Sequence, residues 1–222
     1  MVRLHAALAA SLLLVGGCAG LRHPQTPSAT VSIEPAPEWT TLATQADQQA
    51  VNQMTSRWHA ALARVSRGAR QKMDDEGALV DPKGALEFPT LPPGAYRCRL
   101  IRFGGKTGFA TFPPDICYVS GNEQKQAFTK QTGSSLPGGW IYPDTPTRSI
   151  FLGTYRDTPK DTAAGYGYDP EDDVAGVVER VGPFRWRMSL TRSLRGAALD
   201  VYELVPITPE VPGEAPVRLA GD

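Results

Sequence analysis

The sequence predicts a mainly β protein: an N-terminal α-helix followed by an antiparallel meander of about eight strands, forming a small closed or partly open barrel. Three patterns carry this prediction. Between Trp39 and Val65, apolar residues recur at three- and four-residue steps, the period of one helix face. From Ala95 the period changes to two, and in Ala95 to Phe103 apolar residues alternate with arginines, as in a strand with one wet face. Short glycine- and proline-containing links then separate successive apolar runs with no helical stretch between them. Such runs pair as antiparallel neighbours, and closing the sheet hides its edges.

Taken in chain order, residues 1–17 have the makeup of an export leader. Arg3 supplies a positive start, Ala6 to Val15 an apolar run, and Val15-Gly16-Gly17 a small-residue cleavage site before Cys18. The run is too short to cross about 30 Å of hydrocarbon, which needs about 20 residues. The stretch Val15 to Cys18 resembles the bacterial lipobox. That resemblance implies cleavage before Cys18, lipidation of Cys18, and a chain held in the membrane by acyl groups. The sorting rule for such proteins retains those with Asp after the lipidated cysteine at the inner membrane; position 19 is Ala, so the resemblance implies the periplasmic face of the outer membrane.

Residues 18–38 carry prolines at 24, 27, 35 and 37 and little large apolar content; they read as the lipidated cysteine and a disordered tether. A single folded domain is expected over 39–206, and residues 207–222 read as a disordered tail. Within the domain, Trp39, Leu42, Ala46, Ala50, Met54, Trp58, Ala61, Leu62 and Val65 predict a helix from about Gln45 to Arg67 stopped by Gly68. Its apolar stripe wants cover. The rest of the domain is the ordinary partner, and a second protein is the alternative. Asp74-Asp75-Glu76 reads as an exposed linker.

After the proline-rich Leu86 to Gly94, the strands are expected at Ala95–Phe103, Cys117–Ser120, Gln124–Lys130, Gly139–Tyr142, Ser149–Arg156, Val174–Val181, Phe184–Leu190 and Leu199–Val205. Gly182-Pro183 makes a tight hairpin; beyond it Phe184, Trp186, Met188 and Leu190 face one way, and Arg185, Arg187 and Ser189 the other. Thr132 to Gly139 reads as a long hairpin loop.

The segments LPPGAYRCRLIRFGG, KQTGSSLPGGWIYPD, RSIFLGTY and DDVAGVVERVGPFRWRMSLTRS, with the closing LDVYELVP, resemble the hallmark strings of a bacterial domain family of unknown function found in exported proteins and lipoproteins of Gram-negative bacteria. The likeness spans about residues 39–206. It implies a relative without implying an activity.

Charge and residue usage limit the chemistry. Lys and Arg number 23 and Asp and Glu 23; without Arg3 the processed chain has 22 against 23, which gives no electrostatic case for nucleic acid. Of three histidines, His5 falls in the leader and His23 in the tether. His59 alone would have to serve a catalytic triad, and a surface imidazole is the plainer reading. Neither a metal centre nor a cofactor is expected. The acidic run Asp169 to Asp173 reads as a solvated turn rather than a calcium loop. With Cys18 used by the anchor, Cys98 and Cys117 remain as an even pair in an oxidising compartment, where a disulfide between neighbouring strands is expected; two unpaired core thiols are the alternative.

Glu179 and Glu203 each share a strand face with valines. Two inward carboxylates would suit glycoside hydrolysis, but buried charges are normally paired, and Arg97, Arg99, Arg180, Arg185 and Arg187 are ready partners. Arg97, Arg99, Glu179, Arg187, Glu203 and Trp186 are therefore the candidate ligand-reading residues, and structural ion pairing is the weightier reading. Tyr96, Tyr118, Trp140, Tyr142, Phe151, Trp186 and Tyr202 fall on candidate strands and are expected to fill the interior in preference to lining a cavity. The function expected is non-catalytic binding of a small molecule or peptide at the barrel mouth. The alternatives are an assembly or inhibitor role through a protein-binding surface and, last, a hydrolase using Glu179 and Glu203. The expected partners are the membrane, through the N-terminal lipid, and an unidentified small ligand or envelope protein.

Overall fold

A computed structural model describes residues 36–161, 165–193 and 196–208. The leader, Cys18, the tether up to Pro35 and the tail from 209 lie outside the described residues. Eight strands close into an antiparallel barrel in chain order: β1 Gly94–Phe103, β2 Ala110–Asn122, β3 Lys125–Lys130, β4 Leu136–Thr145, β5 Arg148–Arg156, β6 Asp173–Gly182, β7 Arg185–Leu190 and β8 Leu199–Pro206, with β8 pairing back onto β1. The predicted fold is the one observed, and the barrel is closed.

Four short helices precede it: α1 Trp39–Leu42, α2 Gln45–Asn52, α3 Met54–Ala63 and α4 Arg67–Asp74, followed by a 3-10 turn at Gly77–Leu79. The single helix expected over Gln45 to Arg67 is thus divided. The apolar stripe is real, since Val51, Met54, Trp58 and Ala61 are all buried, but a tertiary contact sets the end of α3. The amide of Ser66 donates to the Thr107 carbonyl at 2.9 Å, and Gly108 packs so closely that a Cβ there would lie 2.3 Å from the Arg64 carbonyl oxygen. The helix must end where the β1–β2 loop abuts it. Gly68, expected as the stop, lies in the first turn of α4.

The barrel interior is filled. Tyr96, Cys98, Phe128, Phe151, Trp186 and Tyr202 belong to one inner cluster, and Phe128 meets Phe151 edge-on with centroids 5.8 Å apart. Glycines make room for these rings: a Cβ on Gly153 would strike the Phe151 ring at 2.4 Å. An eight-stranded barrel is just narrow enough for side chains to occupy it. Not every strand aromatic goes inside, however. Tyr142 packs in the outer cluster under the helices, while Tyr118 and Trp140 stand exposed on the outer wall.

The helices cover only one side. They form a second cluster with Ile101, Phe103, Ile150, Leu152, Val177 and Val201 on the outer face of the sheet, and Trp58 meets Phe103 edge-on at 5.4 Å. Strands β5, β6 and β7 are consequently buried on both faces, whereas β2 and β3 keep one wetter face and alternate. Cys98 on β1 and Cys117 on β2 are joined by a disulfide, wholly buried, with Cα atoms 5.8 Å apart. β2 begins seven residues earlier than predicted, at Ala110, because Pro113 and Pro114 sit beside a bulge between Arg99 and Ile101, where a missing ladder donor is tolerated.

One end of the barrel is shut by the strap that precedes β1. Leu91 is fully buried there; the Gln126 side chain accepts from the Leu91 amide at 3.2 Å and donates to its carbonyl at 2.6 Å. Tyr96 adds a hydrogen bond from its hydroxyl to the Pro92 carbonyl. We call this the strap end and the opposite end the mouth.

Candidate functional site at the barrel mouth

The predicted polar residues separate into two places. Glu179 on β6, Arg187 on β7 and Glu203 on β8 lie directly opposite one another in register, on the outer face of the barrel rather than inside it. Arg187 is wholly buried. It donates Nε to Glu179 at 2.7 Å, offers Nη1 to the carbonyls of Ala78, Leu79 and Asp81 at the end of the 3-10 turn, and stacks 5.0 Å from the Trp58 ring. Glu203 accepts from Arg99 at 2.7 Å and from Arg185 at 2.6 Å.

Glu76 completes this belt, taking Arg99 through both carboxylate oxygens at 2.6 and 2.9 Å. The acidic linker expected to be exposed therefore ends in a structural ion pair. Nothing in DDE distinguishes Glu76 from its neighbours, because its partners stand on strands far along the chain. Hydrogen bonding to Glu76 heads the causes that raise the Arg99 pKa above the ordinary guanidinium value. With their oxygens engaged by guanidinium groups, Glu179 and Glu203 are held as ion-pair partners. Arg97 stands exposed on the bare wall, and Trp186 faces the interior, edge-on to Tyr96 at 6.4 Å. The structure thus brings Arg99, Glu179, Arg187 and Glu203 together and leaves Arg97 and Trp186 apart from them.

The mouth holds a different constellation, which sequence reasoning missed. A cleft of about 500 Å³ opens there, lined by Leu100, Arg102, Phe112, Asp115, Lys130 and the Gly133 to Ser135 turn. Lys130, almost wholly buried, reaches Asp115 at 2.7 Å and the carbonyls of Thr132 and Ser134 at 2.7 and 2.8 Å. Arg102 grips Asp200 through two bonds of 2.7 Å and lies 5.7 Å from the Phe112 ring. The turn is held in left-handed backbone at Gly133, φ 75°, and at Ser135, φ 56°. A Cβ at Gly133 would lie 2.3 Å from an Asp115 oxygen, so glycine is required by both backbone and space. The residues read as a loop, Leu136 to Gly139, belong to β4. A signal existed in the alternation Gln126, Phe128, Lys130, which puts polar residues at both ends of an inward-facing row.

Below the cleft, burial raises the phenol pKa values of Tyr96, Tyr155 and Tyr202 above the ordinary tyrosine range. The neutral phenol is the form the fold favours, so its stabilising contribution is complete below the unfolded value of about 10 and fades as pH rises through the folded one. Replacing any of these three with phenylalanine is expected to leave the phenolate absorbance of the native protein unchanged in an alkaline titration carried to a pH of about 10. A loss of native absorbance in such a variant would contradict this burial.

Elsewhere the acidic turn is ordered locally. Asp173 accepts the Gly167 amide with both oxygens at 2.9 and 3.0 Å, and desolvation raises its pKa. His59 is exposed on α3. Among the described residues no cluster of His, Cys, Asp or Glu is placed to hold a metal ion, and no helix is long and apolar enough to cross a membrane.

A closed eight-stranded meander, walled on one side by helices and bearing a polar cleft at its mouth, defines a small β-barrel protein with a packed interior. The chain belongs to the family described as a domain of unknown function, DUF4893, whose model matches residues 39–204. No curated protein matches the chain. Among solved structures it is similar to a redesigned β-barrel, 11% identical, with 52% of this chain and 91% of that one covered and a TM-score of 0.35.

Proposed function

We propose that this is a lipid-anchored envelope protein, facing the periplasm at the outer membrane, that binds a small zwitterionic molecule or short peptide at the barrel mouth without transforming it. The observation that carries the binding reading is the cleft itself, about 500 Å³ at the mouth of a filled barrel. There an apolar wall of Leu100 and Phe112 stands against the fixed charges of Arg102, Lys130 and Asp115. Apolar walls with a few convergent polar groups suit small ligands. The anchor is supported by the leader and by Cys18; the buried Cys98–Cys117 bridge suits an oxidising compartment.

The test is co-purification from native membranes followed by mass spectrometry of released small molecules, with a nuclear magnetic resonance titration of tripeptides as the probe. Ligand-dependent shifts are expected at Phe112 and Ser134 and are expected to vanish in Ser134→Trp, which fills the cleft. Shifts that persist in Ser134→Trp, or none with any tripeptide together with no co-purified molecule, would defeat the proposal.

A second reading is favoured by the bare outer wall, where Ile116 and Tyr118 on β2 and Trp140 on β4 are exposed on either side of β3 and Lys125 sits 4.7 Å from the Trp140 ring. Such a face suits a protein partner. A Trp140→Ser variant losing a co-purifying protein while keeping the small ligand would select it.

A further inference from the structure

Two features coincide at the strap end of the barrel. The chain enters the domain there: Trp39 Nε1 donates to Asp144 at 2.7 Å near the end of β4, and Glu38 lies 4.0 Å from Lys125 at the start of β3. Any tether preceding residue 36 must therefore leave from this end. The same end displays two large apolar side chains, Phe88 on the strap at 75% exposure and Phe184 at the tip of the β6–β7 hairpin at 71%, with Leu86, two residues before Phe88, half-exposed as well.

Phe88 is not loose. Its φ of 61° is rarely adopted by a residue of this bulk, and its amide donates to the Pro146 carbonyl at 2.9 Å. Leu86 is bridged to Arg180, whose Nε donates to the Glu87 carbonyl at 2.9 Å. The strap thus buries Leu91 as the barrel's plug and is pinned in a backbone that leaves the Phe88 ring in water. The charges at this end are mixed, Lys125, Arg148 and Arg180 with Glu38, Glu87, Glu123 and Asp144, so the end is apolar at its tips and not polybasic.

We propose that the strap end lies against the bilayer, with Phe88 and Phe184 inserted at the level of the lipid headgroups and acyl boundary. This deepens the anchored reading and rests on it: the acyl chains at Cys18 would supply most of the attachment, and the two rings would set the orientation. The mouth cleft, at the opposite end, then faces away from the membrane toward its ligand. Aromatic rings favour the membrane interface, and attraction by apolar tips is insensitive to salt, unlike that of a polybasic patch.

The experiment places single added tryptophans at Phe88→Trp, Phe184→Trp and, as the control at the mouth end, Tyr168→Trp, which replaces an aromatic residue 80% exposed. Each full chain is bound to phosphatidylcholine vesicles with brominated acyl chains, and the emission added over the unsubstituted chain is compared. Two preparations are used: the acylated chain, and a Cys18→Ser chain held by an N-terminal hexahistidine tag on nickel-chelating lipid. The emission added at 88 and 184 is expected to fall by half or more, unchanged by high salt, and that at 168 to be unaffected. Removing either ring as alanine is expected to weaken vesicle binding of the untethered Cys18→Ser chain about tenfold. Equal quenching at all three positions, or none at 88 and 184 in both preparations, overturns the orientation. Failure of the first preparation alone to float with vesicles overturns the acyl anchor instead.

Discussion

Replacing Arg187 with methionine is expected to lower the unfolding free energy by about 3–5 kcal/mol, the usual cost of removing one partner from a buried ion pair. For a domain of this size that corresponds to a fall in melting temperature on the order of 10 °C. The guanidinium is wholly buried between the sheet and the helical layer, so methionine can fill much of its volume, but four groups lose their donor: the Glu179 carboxylate and the carbonyls of Ala78, Leu79 and Asp81. The contact with Trp58 at 5.0 Å is lost as well. Lysine is expected to recover little, because a single ammonium cannot span donors the forked guanidinium reaches together. The double variant Arg187→Met with Glu179→Leu should regain part of the loss, since the stranded carboxylate is removed with its partner. Chemical denaturation of the three variants measures these differences. A loss below about 1 kcal/mol for Arg187→Met would mean that the belt joining helices to barrel carries little of the stability.

Opening the Cys98–Cys117 bridge is the second large effect. The cysteines are 19 residues apart, and on the chain-entropy account closing a loop of that size stabilises the fold by about 3 kcal/mol. The Cys98→Ala, Cys117→Ala chain is expected to keep its circular dichroism spectrum and unfold at correspondingly lower denaturant. Both sulfurs are buried in the inner cluster, so the Cys18→Ser chain should resist reductant in native buffer and yield two thiols only once unfolded. Thiols titrating freely in the native Cys18→Ser protein would rule out the bridge.

The parts of this fold legible in the sequence are those whose two faces meet different surroundings. β1 and β3 alternate because one side meets the interior and the other meets water or charge, and their period is visible directly. β5 is buried along nearly its whole length, because helices cover its outer face; its apolar run announced a strand without saying which side was which. The end of α3 was invisible, since a hydrogen bond from Ser66 to Thr107 and the close approach of Gly108 create it. The cysteine pair followed from counting. The polar candidates were harder: valines around Glu179 and Glu203 pointed inward, whereas both lie partly buried on the outer face, and the belt there depends on Glu76, whose pairing no local pattern records. The mouth went unread because Lys130 and Asp115 meet across two strands and a left-handed turn.

The helical layer also gives the barrel walls of unequal thickness. Where the layer lies, a strand can separate only by shedding a second set of packed side chains; along β2 and β3 it need break only its ladder and its inward contacts. Breathing of the wall should therefore concentrate on the single-ply side, and that is where the covalent link between β1 and β2 has been placed, beside the Lys130 and Asp115 edge of the cleft. Without that link the same side would be the first to part, so the bridge holds the edge of the cleft in shape.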